Sequence, residues 1–172
     1  MQAGTLAAAT TFVPDAANAR SFRDALGRFA TGVAVITTNS AAGPMGFTAN
    51  SFASLSMDPP LVLWSPARSA QRFPVYEAAQ TYAIHILSDA QQDWSTRFIR
   101  GGAGFSDLAY DHNAEGVPVL PAALARFDCA RHAAFDGGDH LIIVGRVLRC
   151  VVTEGLPLVF AGGKYGKLLP PG

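Results

Sequence analysis

The stretch ARFDCARHAAFDGGDHLIIVGRVLRCVVT, residues 125–153, contains two long runs that are separated by a glycine turn. Asp136-Gly137-Gly138 has the composition of a tight hairpin turn. The run that follows it is rich in β-branched residues, which favour extended backbone. We therefore predict two long strands, Ala125–Phe135 and His140–Thr153, that pair antiparallel across this turn.

Shorter strands are predicted on both sides of this hairpin. They are Val33–Thr38, Met45–Ser56, Leu61–Trp64, Tyr82–Leu87 and Leu158–Phe160. Asn39–Pro44 is expected to form the turn between the first two, and Asp58-Pro59-Pro60 is expected to end the second, because proline cannot donate to a strand ladder. Phe105–Pro121 is predicted to be a loop.

Three short helices complete the prediction. They are indicated by the helical spacing of Phe22, Leu26 and Phe29, by Val75–Ala79, and by Ser88–Ile99. Gly32 is expected to end the first helix and Gly101-Gly102 the third. Mostly antiparallel strands with a few short helices predict a mainly β fold, a small closed or split β-barrel. Strands do not alternate with long helices, which argues against a Rossmann domain.

The size and charge of the chain limit the classes of function. Its 172 residues fit one domain, and we expect a flexible arm over residues 1–18 and a single domain over 19–172. Lys plus Arg and Asp plus Glu each total 13, so nucleic acid is not expected as the partner. Only 15% of residues are charged while 49% are hydrophobic. This imbalance predicts a surface buried against another chain or a fold around a large uncharged ligand.

The sequence also indicates a compartment. No apolar run approaches the roughly 18 residues of a membrane span, so no membrane partner is expected. Residues 1–19 contain no Lys or Arg, and we therefore expect no secretory signal. Cys129 and Cys150 do not make a disulfide framework. We expect a cytoplasmic protein with reduced thiols.

The most informative candidate site is Gly46-Phe47-Thr48-Ala49-Asn50-Ser51-Phe52. In one continuous strand, Thr48, Asn50, Ser54 and Ser56 would share a polar, uncharged face. Such a face suits the edge of a planar heterocycle such as isoalloxazine, where hydrogen bonds fix orientation without an unpaired charge. An ordinary solvent-facing strand has the same pattern, and the pattern alone favours that interpretation.

Two further segments could bind a ligand. Ser65-Pro66-Ala67-Arg68-Ser69 follows a buried strand and offers hydroxyls and a guanidinium to a phosphate, although an ordinary loop has the same composition. His140 follows the glycine turn, where it could contact a ligand at the rim of the barrel or simply cap the turn.

Other chemistries are not favoured. Lys164 and Lys167 lie in a glycine-rich segment that lacks the spacing of a phosphate-binding Walker loop, and a solvated tail is the simpler interpretation. Cys129 and His132 have a zinc-like spacing, but residues three apart on a strand point to opposite faces. We therefore expect no metal site.

Together these segments resemble the flavin reductase-like family, the short-chain reductases of two-component flavin monooxygenases. The resemblance covers roughly residues 20–168. It rests on Gly32-Val33, Thr37-Thr38, Gly46–Phe52, Asp58–Val62, Arg68-Ser69, Gly138-Asp139-His140 and Gly145-Arg146-Val147. Many members carry a His-x-Gly-x-Tyr-like segment near the C-terminus, whereas here Ala161 stands in place of the histidine.

The resemblance implies an FMN-binding split β-barrel, antiparallel and of Greek-key type, that forms a homodimer with flavin near the interface. It implies an NAD(P)H:flavin oxidoreductase that uses FMN or FAD, with NADH or NADPH as co-substrate, and passes reduced flavin to a separate oxygenase. Thr48, Ala49, Asn50 and Ser51 would contact the flavin, and Ser65, Arg68 and Ser69 would lie near its phosphate. His140 would position the nicotinamide, and no covalent catalyst is expected.

Two other functions remain open on the same barrel. One is an oxidase with tightly held FMN, as in pyridoxamine-phosphate oxidase-like proteins. The other is a non-enzymatic module that binds flavin or haem. The Gly46–Phe52 segment together with Gly138-Asp139-His140 favours the reductase over both.

Overall fold

The computed structural model describes residues 9–99 and 104–169, and within these ranges the chain is mainly β with short helices. The strands are β1 (Thr31–Gly32), β2 (Ala34–Ser40), β3 (Gly43–Ala49), β4 (Ala53–Met57), β5 (Pro60–Trp64), β6 (Thr81–Ile86), β7 (Asp111–His112), β8 (Pro118–Val119), β9 (Ala125–Gly137), β10 (His140–Val152), β11 (Leu158–Ala161) and β12 (Lys164–Lys167). The helices are α1 (Ala19–Leu26), α2 (Phe73–Ala78) and α3 (Gln92–Arg97).

Seven strands form one antiparallel sheet in the order β3-β2-β6-β9-β10-β5-β4. The predicted long hairpin is its centre, since β9 and β10 pair from His140 opposite Gly137 to Val152 opposite Ala125, with two bulges. Strands β1, β11 and β12 form a smaller sheet, and β7 pairs with β8.

Two apolar clusters hold the sheets and helices together. The first lies between the strands and α2 and contains Trp64 and Tyr76, whose rings meet edge to face at 5.3 Å. The second packs α3 and the segment after it against β2 and β11, through Val35, Phe98 and Leu158. The end of β3 lies between the two clusters. Its last residue, Ala49, belongs to the first cluster, and α3, which Thr48 contacts, packs in the second.

The prediction of one strand over Met45–Ser56 is wrong. The chain leaves β3 after Ala49, bends at Asn50–Phe52 and starts β4 at Ala53. β3 pairs with β2, whereas β4 pairs with β5. The change of partner requires a break in the strand, so Thr48, Asn50, Ser54 and Ser56 do not share one continuous strand face.

Smaller differences lie at element ends. α1 ends at Leu26 and not near Gly32, because the Gly27 N–H closes the last turn on the carbonyl of Arg23. Phe105–Pro121 is not all loop, since it contains β7 and β8. The predicted stop at Gly101-Gly102 and the first eight residues of the predicted arm lie outside the described residues. No helix in the described ranges is long and apolar enough to cross a membrane.

Candidate functional site

Two adjoining clefts contain several of the predicted site residues. The smaller, of about 170 Å³, is lined by Thr48, Ala49, Asn50, Val33, Ile99, Phe160 and Tyr165. The larger, of about 830 Å³, lies between α1, the β11–β12 turn, Asn50 and His140. Asn50 and Phe160 line both clefts, so a single ligand or a pair of stacked ligands can occupy them together.

The end of β3 forms the wall of the smaller cleft. Ala49 is buried in the ladder opposite Ala34. The Thr48 hydroxyl donates to the carbonyl of Ser95 at 2.7 Å, and its backbone N–H lies 3.4 Å from the carbonyl of Phe98. The donor capacity of Thr48 is therefore used within the protein, and its hydroxyl can only accept from a ligand.

The bend after β3 presents Asn50 to both clefts. Asn50 is exposed, and its amide has no hydrogen-bond partner among the described residues. The next residue fixes the bend, because the Ser51 hydroxyl donates to the carbonyl of Ser65 at 3.2 Å and accepts from its N–H at 3.0 Å. Asn50 therefore projects from an anchored backbone with a free donor and a free acceptor.

The loop Ser65–Ser69 lies beside the turn that precedes His140. Ala67 forms an isolated bridge with His140, and the Arg68 N–H donates to the carbonyl of Asp139 at 2.8 Å. The Arg68 guanidinium donates through Nε to the carbonyl of Gly138 at 3.1 Å and pairs with Asp136 at 2.7 Å. The structure thus joins two segments that lie far apart in the sequence.

The beginning of α2 does not contribute to this loop. α2 begins at Phe73, four residues after Ser69, so the backbone amides at the start of this helix lie beyond the loop. Ser69 itself is exposed. A phosphate at this loop would depend on Arg68 and the serine hydroxyls.

His140 lies at the start of β10 and lines the larger cleft. Its Nδ1 is 2.7 Å from the Asp139 carboxylate. The hydrogen bond from His140 lowers the pKa of Asp139, so that this carboxylate is ionised and can only accept. Nδ1 therefore donates to this carboxylate, and in the uncharged form of the ring Nε2 keeps a lone pair for a ligand donor.

Three residues at or next to the smaller cleft were not predicted from the sequence: Phe160 and Tyr165 line it, and Arg72 bonds to Ile99, which lines it. Arg72 donates to the carbonyls of Gly46, Phe98 and Ile99 and so ties β3 to the end of α3. Phe160 and Tyr165 pack edge to face at 5.3 Å beside Asn50. Tyr165 lies in the segment that contains Lys164 and Lys167, to which the sequence assigned no function. Arg72 belongs to no recognisable motif.

The residues considered for other chemistries lie elsewhere. Lys167 pairs with Asp89 at 3.2 Å, and Lys164 is exposed on β12. Burial raises the pKa of the Cys129 thiol to about 12, whereas His132 is exposed. Within residues 9–99 and 104–169, no group of three or more His, Cys, Asp or Glu side chains could hold a metal ion.

Comparison with known proteins identifies the family. The sequence profile described as "Flavin reductase like domain" matches residues 26–169. This chain belongs to that family. It is 56% identical over 156 residues to the FMN reductase (NADH) SmoA of Agrobacterium fabrum, an alignment that covers 91% of this chain and 90% of the relative.

Further relatives and solved structures agree with this membership. The reductase subunit HsaB of a flavin-dependent monooxygenase from Rhodococcus jostii is 36% identical over 91% of this chain and 81% of its own length. Nitrilotriacetate monooxygenase component B from Mycobacterium thermoresistibile superimposes with a TM-score of 0.85 at 37% identity, over 90% of this chain and 89% of that one. The NADH:FAD oxidoreductase SgcE6 of Streptomyces globisporus, solved with NAD and FAD fragments, superimposes with a TM-score of 0.84 at 31% identity, over 93% and 98%.

Proposed function

We propose that this protein is an NAD(P)H-dependent flavin reductase that reduces FMN or FAD and supplies the reduced flavin to a separate monooxygenase. The observation that carries the proposal is the 56% identity, over nearly the whole chain, to a relative named FMN reductase (NADH). Relatives named as reductase subunits of flavin-dependent monooxygenases support the second part of the proposal.

The smaller cleft fits the ring of a flavin. Among the described residues its lining contains no charged side chain, and Ile99, Phe160 and Tyr165 provide apolar contact. The free Asn50 amide offers both a donor and an acceptor to the polar edge of the ring. Asn50, with the backbone of Ala49 and Ser51, is therefore a stronger candidate for orienting the ring than the Thr48 hydroxyl, which already donates to Ser95.

Arg68, Ser65 and Ser69 are the proposed contacts for the flavin phosphate. Arg68 uses Nε and one terminal nitrogen on Gly138 and Asp136, and its other terminal nitrogen donates to no described residue. One guanidinium edge therefore remains for a phosphate oxygen. The Asp136 pair also holds the guanidinium in place before a ligand binds.

His140 is the proposed contact for the nicotinamide. With its proton on Nδ1, the Nε2 lone pair can accept from the amide nitrogen of the carboxamide group. Bound flavin supplies the hydride-accepting ring, and what the protein contributes is to hold two rings in contact. This chemistry requires no nucleophile.

We also propose a split β-barrel of Greek-key type. The edge strands β3 and β4 are joined by only three residues, Asn50–Phe52, whose extended reach from Ala49 to Ala53 is at most about 14 Å. Six strand spacings in a flat sheet would separate these edges by about 29 Å. The short connection supports a sheet that curls back on itself.

A homodimer is part of the proposal. Leu55 and Met57 on β4 are 50% and 93% exposed, and Val152 on β10 is 78% exposed. Exposed apolar residues on the edge strand β4 and at the end of β10 favour an interaction surface. Sedimentation velocity should give a dimer, and a monomer at micromolar concentration would contradict this part.

The remaining parts of the proposal concern organisation and location. We propose a single domain over residues 19–172 that follows an arm over residues 1–18. The two cysteines are free, which supports a reducing, cytoplasmic compartment.

The reductase proposal is tested by following NADH and NADPH oxidation with FMN, FAD and riboflavin. We expect consumption of nicotinamide that depends on added flavin. No oxidation with any of the six pairs would contradict the proposal. A flavin that stays bound through gel filtration and does not exchange would instead indicate an oxidase with tightly held FMN.

A further inference from the structure

The α1 side of the larger cleft carries charges that the proposed flavin and nicotinamide contacts do not use. Arg23, Asp24 and Arg28 all line it, together with the side chain of Phe29. Within the described residues, none of the three charged side chains has a hydrogen-bond or ion-pair partner. The cleft therefore has Asn50 and His140 at one end and these three charged side chains at the α1 end.

We propose that this charged end binds the adenosine diphosphate half of the dinucleotide, with Arg23 and Arg28 on its phosphates and Asp24 selecting NADH over NADPH. The inference rests on the proposed function, because it assigns a second contact region to the same hydride donor. The volume of about 830 Å³ is within the range of roughly 300–1,000 Å³ that is usual for small-molecule sites.

The two arginines suit a pyrophosphate in chemistry and in position. Guanidinium groups bind phosphate oxygens through paired N–H donors. Arg23 lies in the last turn of α1 and Arg28 lies two residues beyond its end, and both line the same cleft, so their side chains can reach one anion there. Two positive charges against one negative charge leave this end of the cleft with a net attraction for phosphate.

Phe29 provides an apolar surface beside these charges. Its ring lines the cleft and is 79% exposed. Bases stack on exposed aromatic rings with useful affinity. An adenine on Phe29 would lie next to phosphates held by Arg28, its neighbour in the chain.

Asp24 explains a preference between the two nucleotides. A carboxylate accepts hydrogen bonds from ribose hydroxyls but repels a 2′-phosphate. Asp24 lies between Arg23 and Arg28 in the chain and lines the same cleft. NADPH would therefore bind more weakly than NADH.

The end of α1 and the residues that follow it are held against the domain at the cleft. The N–H of Gly162, in the β11–β12 turn, donates to the carbonyl of Gly27 at 2.8 Å. A methyl group on Gly27 would come within 3.6 Å of the Gly162 backbone, so the two segments are in close contact. The backbone next to the charged residues is thus fixed at the cleft before a ligand arrives.

The test measures the affinity for ADP, by calorimetry, of the full chain saturated with FMN. Arg23→Gln and Arg28→Gln should each weaken ADP binding about tenfold, the loss expected for a charge-assisted phosphate contact. Arg20→Gln is the matched control, because Arg20 is exposed on the same helix and does not line the cleft. It should bind ADP like the wild type.

A second readout separates phosphate recognition from a general effect on α1. Both variants should raise the KM for NADH and leave the kinetics with reduced nicotinamide riboside, which has no phosphate, unchanged. Equal ADP affinity in wild type and both variants would overturn the proposal, as would an equal loss with NADH and the riboside. If the wild-type protein oxidises neither NADH nor the riboside, the proposed function is contradicted. If the variants are active and their ADP affinity is unchanged, only this inference is contradicted.

Asp24→Asn tests the selectivity. Wild type should bind adenosine 2′,5′-bisphosphate more weakly than ADP, and Asp24→Asn should reduce that difference by about fivefold because a repulsive charge is removed. Tighter binding of the 2′-phosphate compound by wild type would overturn the assignment of Asp24.

Discussion

His140 and Asp139 are adjacent in the sequence and joined by a hydrogen bond of 2.7 Å. The carboxylate is 94% exposed, so the pair contributes little to stability, and its effect is to fix the tautomer of the ring. Asn50, by contrast, presents an amide that has no hydrogen-bond partner among the described residues. The site therefore depends on a few side chains that keep a hydrogen-bond donor or acceptor available for a ligand.

The first prediction concerns the role of His140. His140→Ala should raise the KM for NADH about tenfold, the effect of losing one well-placed hydrogen bond, while the Kd for FMN changes less than twofold. Steady-state kinetics and a flavin fluorescence titration give the two values. Equal losses in both would show that His140 is structural.

The bend at Asn50–Phe52 is the element on which the site depends most. It ends β3, starts β4 and carries Asn50 into both clefts. Its anchor is the double hydrogen bond between Ser51 and Ser65, fourteen residues apart. A second anchor is Arg72, which holds the middle of β3 through the carbonyl of Gly46.

The sequence predicts local elements well and long-range contacts poorly. The β9–β10 hairpin was predicted because its turn and both strands are contiguous in the chain. The break at Asn50 was not predicted, because the alternation of polar residues along a strand does not show where the chain changes its pairing partner. The α1 contribution to the cleft was also missed, since it depends on packing against a turn near the other end of the chain.

The second prediction concerns the packing of β3 against α3. A methyl group on Gly46 would overlap the ring of Phe98, which is fully buried. Gly46→Ala should therefore lower the free energy of unfolding by about 1–3 kcal/mol, the usual cost of overpacking a core. Urea unfolding measures this difference.

Gly166→Ala on β12 is the matched control. A methyl group there meets no atom within 4 Å, and the backbone is not in the left-handed region. This variant should stay within about 0.5 kcal/mol of the wild type. A similar loss in both variants would mean that the clash with Phe98 does not determine the effect.

At the scale of the whole molecule, stability is linked to the buried His85. Its Nδ1 donates to the carbonyl of Val35 at 3.1 Å, and its Nε2 accepts from the N–H of Leu120 at 3.1 Å. This neutral ring therefore bridges β2, β6 and the segment before β9. Burial lowers the pKa of His85 from 6.5 to about 4.

The third prediction follows from that shift. Between pH 6.5 and 4 the unfolded chain binds a proton that the folded chain does not, so stability falls as the pH is lowered through this window. The stabilisation is fully present above pH 6.5, and the loss amounts to about 3 kcal/mol at the lower end.

Urea unfolding at several pH values checks the size of this effect. His85→Gln, although less stable, should lose less free energy of unfolding than wild type between pH 6.5 and 4. His132→Gln, on the exposed side of β9, should keep the wild-type slope. Identical slopes in all three proteins would exclude His85 as the source.

The low charge content of the chain agrees with a molecule that binds ring systems and with the proposed second subunit. Only 15% of its residues are charged, yet Arg23, Arg28 and Arg68 lie where phosphates are proposed to bind. A neutral total therefore does not prevent the recognition of a dinucleotide.

The most direct measurement is anaerobic reduction of free FMN by NADH with a trace of protein, followed by the bleaching of the flavin absorbance. We predict that many equivalents of FMN are bleached per protein chain, because the reduced flavin leaves and the next oxidised flavin binds. Bleaching that stops at one flavin per chain, or no bleaching at all, would contradict the conclusion that this protein is a flavin reductase supplying a separate oxygenase.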